Sequence, residues 1–103
     1  MITMNMILTT ITQEKKRIEY MLTKYKEEQA RLPKGSISVK NVGDRTYYYL
    51  KYRDGKKVIS QYISKSQINE IREQLEKRKH IEAMMKSLRE ELSIANKVLE
   101  DAL

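Results

Sequence analysis

The stretch TYYYLKYRDGKKVISQYI, residues 46–63, decides the fold. It holds two runs of β-forming residues on either side of Asp54-Gly55. An Asp-Gly pair favours a tight hairpin turn, because the positive φ such a turn requires is easy for glycine and tolerated by aspartate. Upstream, Ile37 and Val39 alternate with polar residues and predict one more strand. The sequence therefore predicts a three-stranded β-meander with strands at about 36–41, 45–53 and 57–63.

The register of the last two strands depends on the length of this turn. A two-residue turn places Leu50 opposite Ile59 and Tyr47 opposite Tyr62. A three-residue turn with a bulge would shift the third strand by one residue and exchange its faces, so the register stays open. With the two-residue turn, one face carries Tyr48, Leu50, Tyr52, Ile59 and Ile63, and the other carries Tyr47, Tyr49, Lys51, Arg53, Lys56 and Val58.

Both sides of the meander have a helical period. From Met1 to Leu32 the spacing alternates between three and four, with Lys15 and Gln29 as the polar breaks. Pro33 disfavours a helical conformation at the residue before it, which predicts a first helix at about 4–32. A second apolar stripe runs to the end of the chain, and Ser64 or Ser66 is expected to cap it. The second helix is therefore predicted at about 66–102.

A helix of that length exceeds what a small sheet can cover, since it measures roughly 55 Å at ~1.5 Å per residue. Its distal half needs another helix, and the first helix can run beside it in the antiparallel direction. Pairing between two copies is the alternative, with a homodimer formed through the helical stripes. We expect one α+β domain, residues 1–103: two long helices around a three-stranded antiparallel meander, the helices forming an antiparallel coiled-coil-like hairpin.

The composition excludes several classes of protein. The chain has 103 residues, of which 40% are hydrophobic, too many for a disordered tail. It lacks cysteine, which excludes disulfides and cysteine-based zinc sites and makes the cytoplasm the expected location. No stretch approaches the ~20 apolar residues of a membrane span, so no membrane association is expected.

We expect no enzyme, cofactor, metal or small-molecule substrate. His80, the one histidine, lies among charged residues of a predicted helix without convergent partners. The three glycines Gly35, Gly43 and Gly55 are isolated at turns and match no phosphate-binding loop. No catalytic residue is therefore predicted.

The formal net charge of +7 is concentrated in the middle of the chain. Residues 34–65 carry eight basic and two acidic side chains, which defines a candidate surface for a polyanion. Cations there would contact phosphates, and tyrosine rings would add flat contact area. The competing explanation is structural, because strands favour tyrosine and lysines protect exposed sheet edges. The predicted nucleic-acid-binding residues are Lys40, Arg45, Tyr47, Tyr49, Lys51, Arg53, Lys56 and Lys57.

Three motifs carry a resemblance to an uncharacterised prokaryotic domain family found near mobile elements. They are KGS at 34–36, TYYYLKYRDGKKV at 46–58 and SQYI at 60–63, followed by the second helix. The resemblance covers about two thirds of the chain. Members of that family insert a cysteine-rich, zinc-like loop before the aromatic strand, where this chain has only residues 41–45, so no metal role is carried over.

The chain also resembles the arm-type DNA-binding domain of tyrosine recombinases. The resemblance lies in the order of three strands and a helix, in the basic second hairpin, and in Ser64-Lys65-Ser66 at the start of the helix. That resemblance implies a three-stranded sheet laid on DNA, although fold analogy does not establish function. The sequence thus favours a non-catalytic nucleic-acid-binding module, with DNA as the expected ligand. The alternative is a coiled-coil interaction, scaffold or holdase-like protein with no nucleic-acid role.

Overall fold

The computed structural model describes the backbone of residues 2–102 and the side chains of residues 6–102. Within this range the predicted α+β class and order of elements are confirmed, and each predicted boundary lies within two residues of the observed one. Met1 and the side chain of Met4, at the start of the predicted apolar stripe, lie outside the described residues. The elements are α1 (Ile2–Arg31), β1 (Ser36–Val42), β2 (Arg45–Asp54), β3 (Lys57–Ile63) and α2 (Ile68–Asp101).

The sheet is antiparallel with the strand order β1-β2-β3. Both of its connections are two-residue turns, because Val42 pairs with Arg45 and Asp54 pairs with Lys57. Each turn begins with a glycine, Gly43 or Gly55, whose φ is 61°. Glycine at the first of two turn residues is the arrangement of type II′ hairpins, whose twist matches that of the strands.

The predicted cross-strand partners in the second hairpin are wrong, whereas the predicted faces are right. Ile59 lies opposite Tyr52 instead of Leu50, and Tyr62 lies opposite Tyr49 instead of Tyr47. The reason is the position of the turn, which uses Gly55 and the residue after it. The pairing therefore moves by two residues, and a two-residue shift leaves every side chain on its face of the sheet.

One face of the sheet packs against the first part of α2. Leu50, Ile63 and Ile68 are buried together. Full burial of an aliphatic side chain of this size contributes about 1.5–3 kcal/mol, so these contacts hold the sheet on the helix. Partly buried neighbours complete this cluster: Ile37, Tyr48, Tyr52, Ile71 and Leu75.

The tyrosines of this packed face are also in contact with cations. The Arg72 guanidinium lies 5.6 Å from the ring centre of Tyr48, and the Lys34 ammonium lies 5.9 Å from that of Tyr52. Cation–π contacts at this distance are favourable by about 0.5–1 kcal/mol at exposed positions. Two of the tyrosines in the aromatic strand thus belong to the core side of the sheet.

The chain forms two compact units. One runs from Arg31 to His80 and contains the sheet with residues 68–80 of α2. The other pairs α1 up to Ala30 with α2 from Ile81 onward. Its buried side chains are Ile18, Ile81, Met85, Leu88 and Ala95.

A hydrogen bond and a charge interaction show that the helices of this second unit are antiparallel. Gln29, a polar break in the predicted apolar stripe, donates a hydrogen bond from Nε2 to Oε1 of Glu82 at 3.2 Å. Farther back along α1, the charge of Arg17 interacts with that of Glu91, farther along α2. From the first pair to the second, the residue number on α1 falls from 29 to 17 while the number on α2 rises from 82 to 91. The two helices therefore run in opposite directions, which confirms the predicted antiparallel hairpin.

The segment between α1 and β1 is fixed in place within the unit of residues 31–80 by a hydrogen bond and by a close backbone approach. Nη1 of Arg78 donates a hydrogen bond of 2.8 Å to the carbonyl oxygen of Leu32, which satisfies a carbonyl left open by the end of α1. Gly35 then adopts a φ of 112°, and a Cβ at this position would overlap the carbonyl oxygen of Lys51. The chain can therefore approach β2 this closely only with glycine at position 35.

The start of α2 differs from the predicted serine cap. The hydroxyls of Ser64 and Ser66 bond to each other at 3.1 Å. The backbone amide of Ile71 donates to the carbonyl of Gln67, so the helix begins after Gln67. Glu70 lies in the first turn, where a carboxylate complements the helix dipole.

Candidate functional site

The second face of the sheet, opposite the buried cluster, is open to solvent. Side chains alternate between faces along each strand, so the register assigns every residue to one face. We call this second face the outer face. It contains four cations and no carboxylate. Its residues are Ser36, Ser38, Lys40, Val42, Arg45, Tyr47, Tyr49, Lys51, Arg53, Val58, Ser60 and Tyr62.

The structure brings six of the eight predicted site residues together on the outer face: Lys40, Arg45, Tyr47, Tyr49, Lys51 and Arg53. Lys56 is exposed in the β2–β3 turn at one end of that face. Lys57 pairs with Asp54, and the alternation assigns both to the opposite face. Lys57 therefore does not share the surface of the other predicted residues.

Cations lie at both ends of the outer face, with tyrosines between them. Along β2 the order is Arg45, Tyr47, Tyr49, Lys51 and Arg53, each about 6.6 Å from the next at ~3.3 Å per residue. Arg45 and Lys51 are thus about 20 Å apart along the strand. A polyanion lying on this face would meet positive charge at two places and aromatic rings between them.

An aromatic pair joins β2 to β3 on the outer face. The rings of Tyr49 and Tyr62 meet edge to face, with centres 6.0 Å apart and planes at 69°. Tyr62 is 57% exposed although it lies in a strand. The predicted site omits Tyr62, although the predicted register, with Tyr62 opposite Tyr47, also places it on the outer face. The signal that could have found it is an aromatic residue at an outward position of the strand after the turn.

The positive charge of the outer face is not neutralised by neighbouring side chains. None of its four cations makes an ion pair with a carboxylate within the described part of the chain. The α-helices differ in this respect. Glu14 accepts a hydrogen bond from Arg17, which lowers the pKa of the carboxyl from its ordinary value. Some charges on the helices are thus compensated locally, whereas the four cations of the outer face are available to a ligand.

The net charge also separates between the two compact units. Residues 31–80 contain thirteen basic and five acidic side chains, whereas the rest of the chain contains eight and nine. The sheet unit therefore has a net charge of +8 and the helical unit −1. The whole positive excess of the protein belongs to the unit that contains the outer face.

An open cavity of about 560 Å³ lies beside β3 within the sheet unit. Tyr62 forms part of its wall, together with the side chains of Gln61, Gln67 and Gln74. Arg31 and Glu70 also line the cavity, and Leu50, Ile63 and Ile71 make part of its wall apolar. Amide groups supply both hydrogen-bond donors and acceptors, so this cavity can bind a polar, planar group.

Metal ligands do not come together in residues 2–102: no three His, Cys, Asp or Glu side chains are placed to hold an ion. His80 is exposed on α2. Within the same range, no helix has the length and apolar character needed to cross a membrane.

The comparison with protein families matches residues 11–73 to a model described as "Domain of unknown function (DUF6788)". The chain belongs to this family. The DUF6788 match spans most of α1, the whole sheet and the start of α2, so every residue of the outer face lies inside it. It agrees with the resemblance to an uncharacterised family and carries no information on mobile elements. Neither the curated proteins nor the solved structures gave a match to the chain.

Proposed function

We propose that this protein is a non-catalytic nucleic-acid-binding module, with DNA as the expected ligand, whose outer face contacts the phosphate backbone. The observation that carries the proposal is an exposed face with four cations, no carboxylate and no ion pair on those cations. A surface of this charge attracts a polyanion and repels another basic surface.

The residues of the outer face have separate roles in this proposal. Lys40, Arg45, Lys51 and Arg53 contact phosphates, which fixes the position of the nucleic acid and supplies most of the affinity. Tyr47 and Tyr49 provide rings and hydroxyls toward bases or sugars. Lys56, in the turn, extends the positive surface at one end of the sheet.

The test is fluorescence anisotropy with labelled duplex DNA, single-stranded DNA and RNA between about 50 and 200 mM salt. Each phosphate contact adds about −0.9 to the slope of log affinity against log salt on duplex DNA. Four cations predict a slope of about −4. The double variant Lys51→Gln with Arg53→Gln should reduce its magnitude by about 2.

A matched control is available on α2. Lys86→Gln with Arg89→Gln removes the same charge from exposed positions in the helical unit. This control should bind as the wild type does. Equal weakening by both double variants would show that net charge alone drives binding, and no binding to any of the three nucleic acids at low salt would refute the proposal.

A second candidate function, interaction through the helical hairpin, is favoured by Asn96. Its Oδ1 atom is buried and has no hydrogen-bond partner among the described residues. Buried polar atoms are almost always paired, and a buried asparagine can select the partner or the oligomeric state of paired helices; Asn96 follows the buried Ala95 on α2. The homodimer through the helical stripes belongs to this second proposal, whereas the role of accessory factor of a mobile element, which the family resemblance implies, belongs to the nucleic-acid-binding proposal.

Sedimentation equilibrium tests this second candidate. A dimer that Asn96→Leu converts to a monomer or to another assembly would support it. Wild-type protein that stays monomeric up to the highest soluble concentration would contradict it. Removal of residues 85–103 is a further test. It should abolish function if the hairpin is the functional surface, and it should not if the outer face is.

A further inference from the structure

The centre of the outer face is aromatic, whereas contacts with phosphates alone require only cations and hydrogen-bond donors. Tyr49 and Tyr62 are in ring contact at 6.0 Å, and Tyr62 exposes more than half of its surface at a strand that is paired on one side only. Val58, another outer-face residue of β3, is also exposed. Aromatic surface thus lies between the two groups of cations, and Val58, which pairs with Arg53, adds apolar surface at one end of the face.

We infer that the outer face binds single-stranded nucleic acid, with unpaired bases stacked on the Tyr49–Tyr62 pair. The inference rests on the proposed function and specifies its ligand. Every base has a flat π face, but in a duplex that face is covered by the neighbouring base pairs. A tyrosine ring on a sheet can therefore stack on a base only when the base is unpaired.

The positions of the cations suit a strand that crosses this aromatic pair. Lys40 and Arg45 lie toward one end of the face, and Lys51 and Arg53 lie toward the other. With about 20 Å between Arg45 and Lys51, the backbone of a short strand can contact cations on both sides while its bases lie on the rings between them. Single-stranded nucleic acid is commonly bound by this combination of stacking platform and basic groove.

The cavity beside β3 reaches the edge of the outer face at Tyr62, while most of its wall, including Leu50, Gln61 and Ile63, belongs to the packed side of the sheet. It offers an unpaired base a second place to bind. Tyr62 borders it, and its volume of about 560 Å³ lies within the range of small-molecule sites. The amides of Gln61, Gln67 and Gln74 can pair with the donors and acceptors of a base edge, as glutamine does with adenine.

The experiment compares three ligands of one sequence, about 12 nucleotides long: single-stranded DNA, single-stranded RNA and duplex DNA. Binding by wild type, Tyr62→Leu, Tyr62→Phe and Tyr20→Leu is measured at one salt concentration and across a salt series. Tyr20, on α1, is the matched control because it is 64% exposed and lies in the helical unit. Tyrosine emission gives an independent signal of stacking, since the chain contains no tryptophan.

We expect the single strands to bind more tightly than the duplex and to quench tyrosine emission. Tyr62→Leu should weaken single-strand binding by about 5- to 150-fold, the loss of one stacked base, without changing the salt slope. Tyr62→Phe keeps the ring and should bind within about threefold of the wild type, and Tyr20→Leu should bind equally well. Tighter binding of one single strand over the other identifies DNA or RNA as the ligand, because only RNA offers a 2′-hydroxyl.

Failure of this inference differs from failure of the proposed function. Duplex binding as tight as single-strand binding, or unchanged single-strand binding by a folded Tyr62→Leu variant, would overturn the inference and leave the phosphate-contacting face in place. Absence of binding to all three ligands would overturn both. Circular dichroism of each variant shows whether it has folded.

Discussion

Replacement of Gly35 by alanine tests how the first strand is placed against the second. Gly35 has a φ of 112°, and its added Cβ would overlap the backbone carbonyl of Lys51 and lie 2.9 Å from Cβ of Tyr52. The conformation alone costs an L residue about 1–2 kcal/mol. The overlap is with backbone, so β1 must also move from β2 and weaken pairing hydrogen bonds worth about 1 kcal/mol each. We expect a total loss of at least about 3 kcal/mol.

Gly43→Ala is the matched control for this prediction. Its φ of 61° is also positive, but nothing lies within 4 Å of the added Cβ. It should therefore lose only the conformational part, about 1–2 kcal/mol. Urea unfolding followed by circular dichroism measures both variants, and the expected difference of about 2 kcal/mol corresponds to roughly 8–16 °C in Tm. Equal losses for the two variants would refute the argument from close approach.

The remaining predictions concern the core and the surface of α1. Ile63→Ala should destabilise the protein by about 2–5 kcal/mol, because Ile63 is only 2% exposed. Val58, in the same strand, is 65% exposed, so Val58→Ala should change the free energy of unfolding by less than about 0.5 kcal/mol. A loss at Val58 as large as that at Ile63 would contradict the assignment of faces. Glu14→Gln should make the protein slightly less stable than the wild type at neutral pH, because Arg17 lowers the pKa of Glu14 in the folded state. The stability that comes from a lowered carboxyl pKa is present above the unfolded-state pKa and is lost as the pH falls through the folded-state pKa. The wild type and Glu14→Gln should therefore become equally stable in acid. Thermal unfolding of both proteins across a range of pH measures this.

The sequence was sufficient to predict the elements because each has a strong local signal. Pro33 ends the first helix, the glycines of the turns separate the strands, and the change from a period of two to one of three and four marks the start of the second helix. The faces of the sheet followed from alternation, which is why Tyr47, Tyr49, Lys51 and Arg53 were assigned correctly to one surface.

The register and the aromatic pair could not be predicted in the same way. Asp54-Gly55 and Gly55-Lys56 are both acceptable two-residue turns, and they give the same alternation of faces. The choice between them depends on packing along the whole hairpin, including the burial of Leu50 and Ile63 against Ile68. The contact of Tyr49 with Tyr62 exists only in the observed register, so local sequence gave no direct sign of it.

The meander also has a consequence for the kinetics of folding. Both strand pairings join neighbours in the chain across two-residue turns, so the entropy lost in closing loops is small and the hairpins can form in about 1–10 μs. The buried cluster further requires Ile68, Ile71 and Leu75, which follow β3 by about a dozen residues at most. At ~5–20 residues per second, a ribosome adds that segment in about 0.6–2.4 s. During synthesis the apolar side of the new sheet is therefore uncovered for far longer than the hairpins take to form, until its own helix arrives.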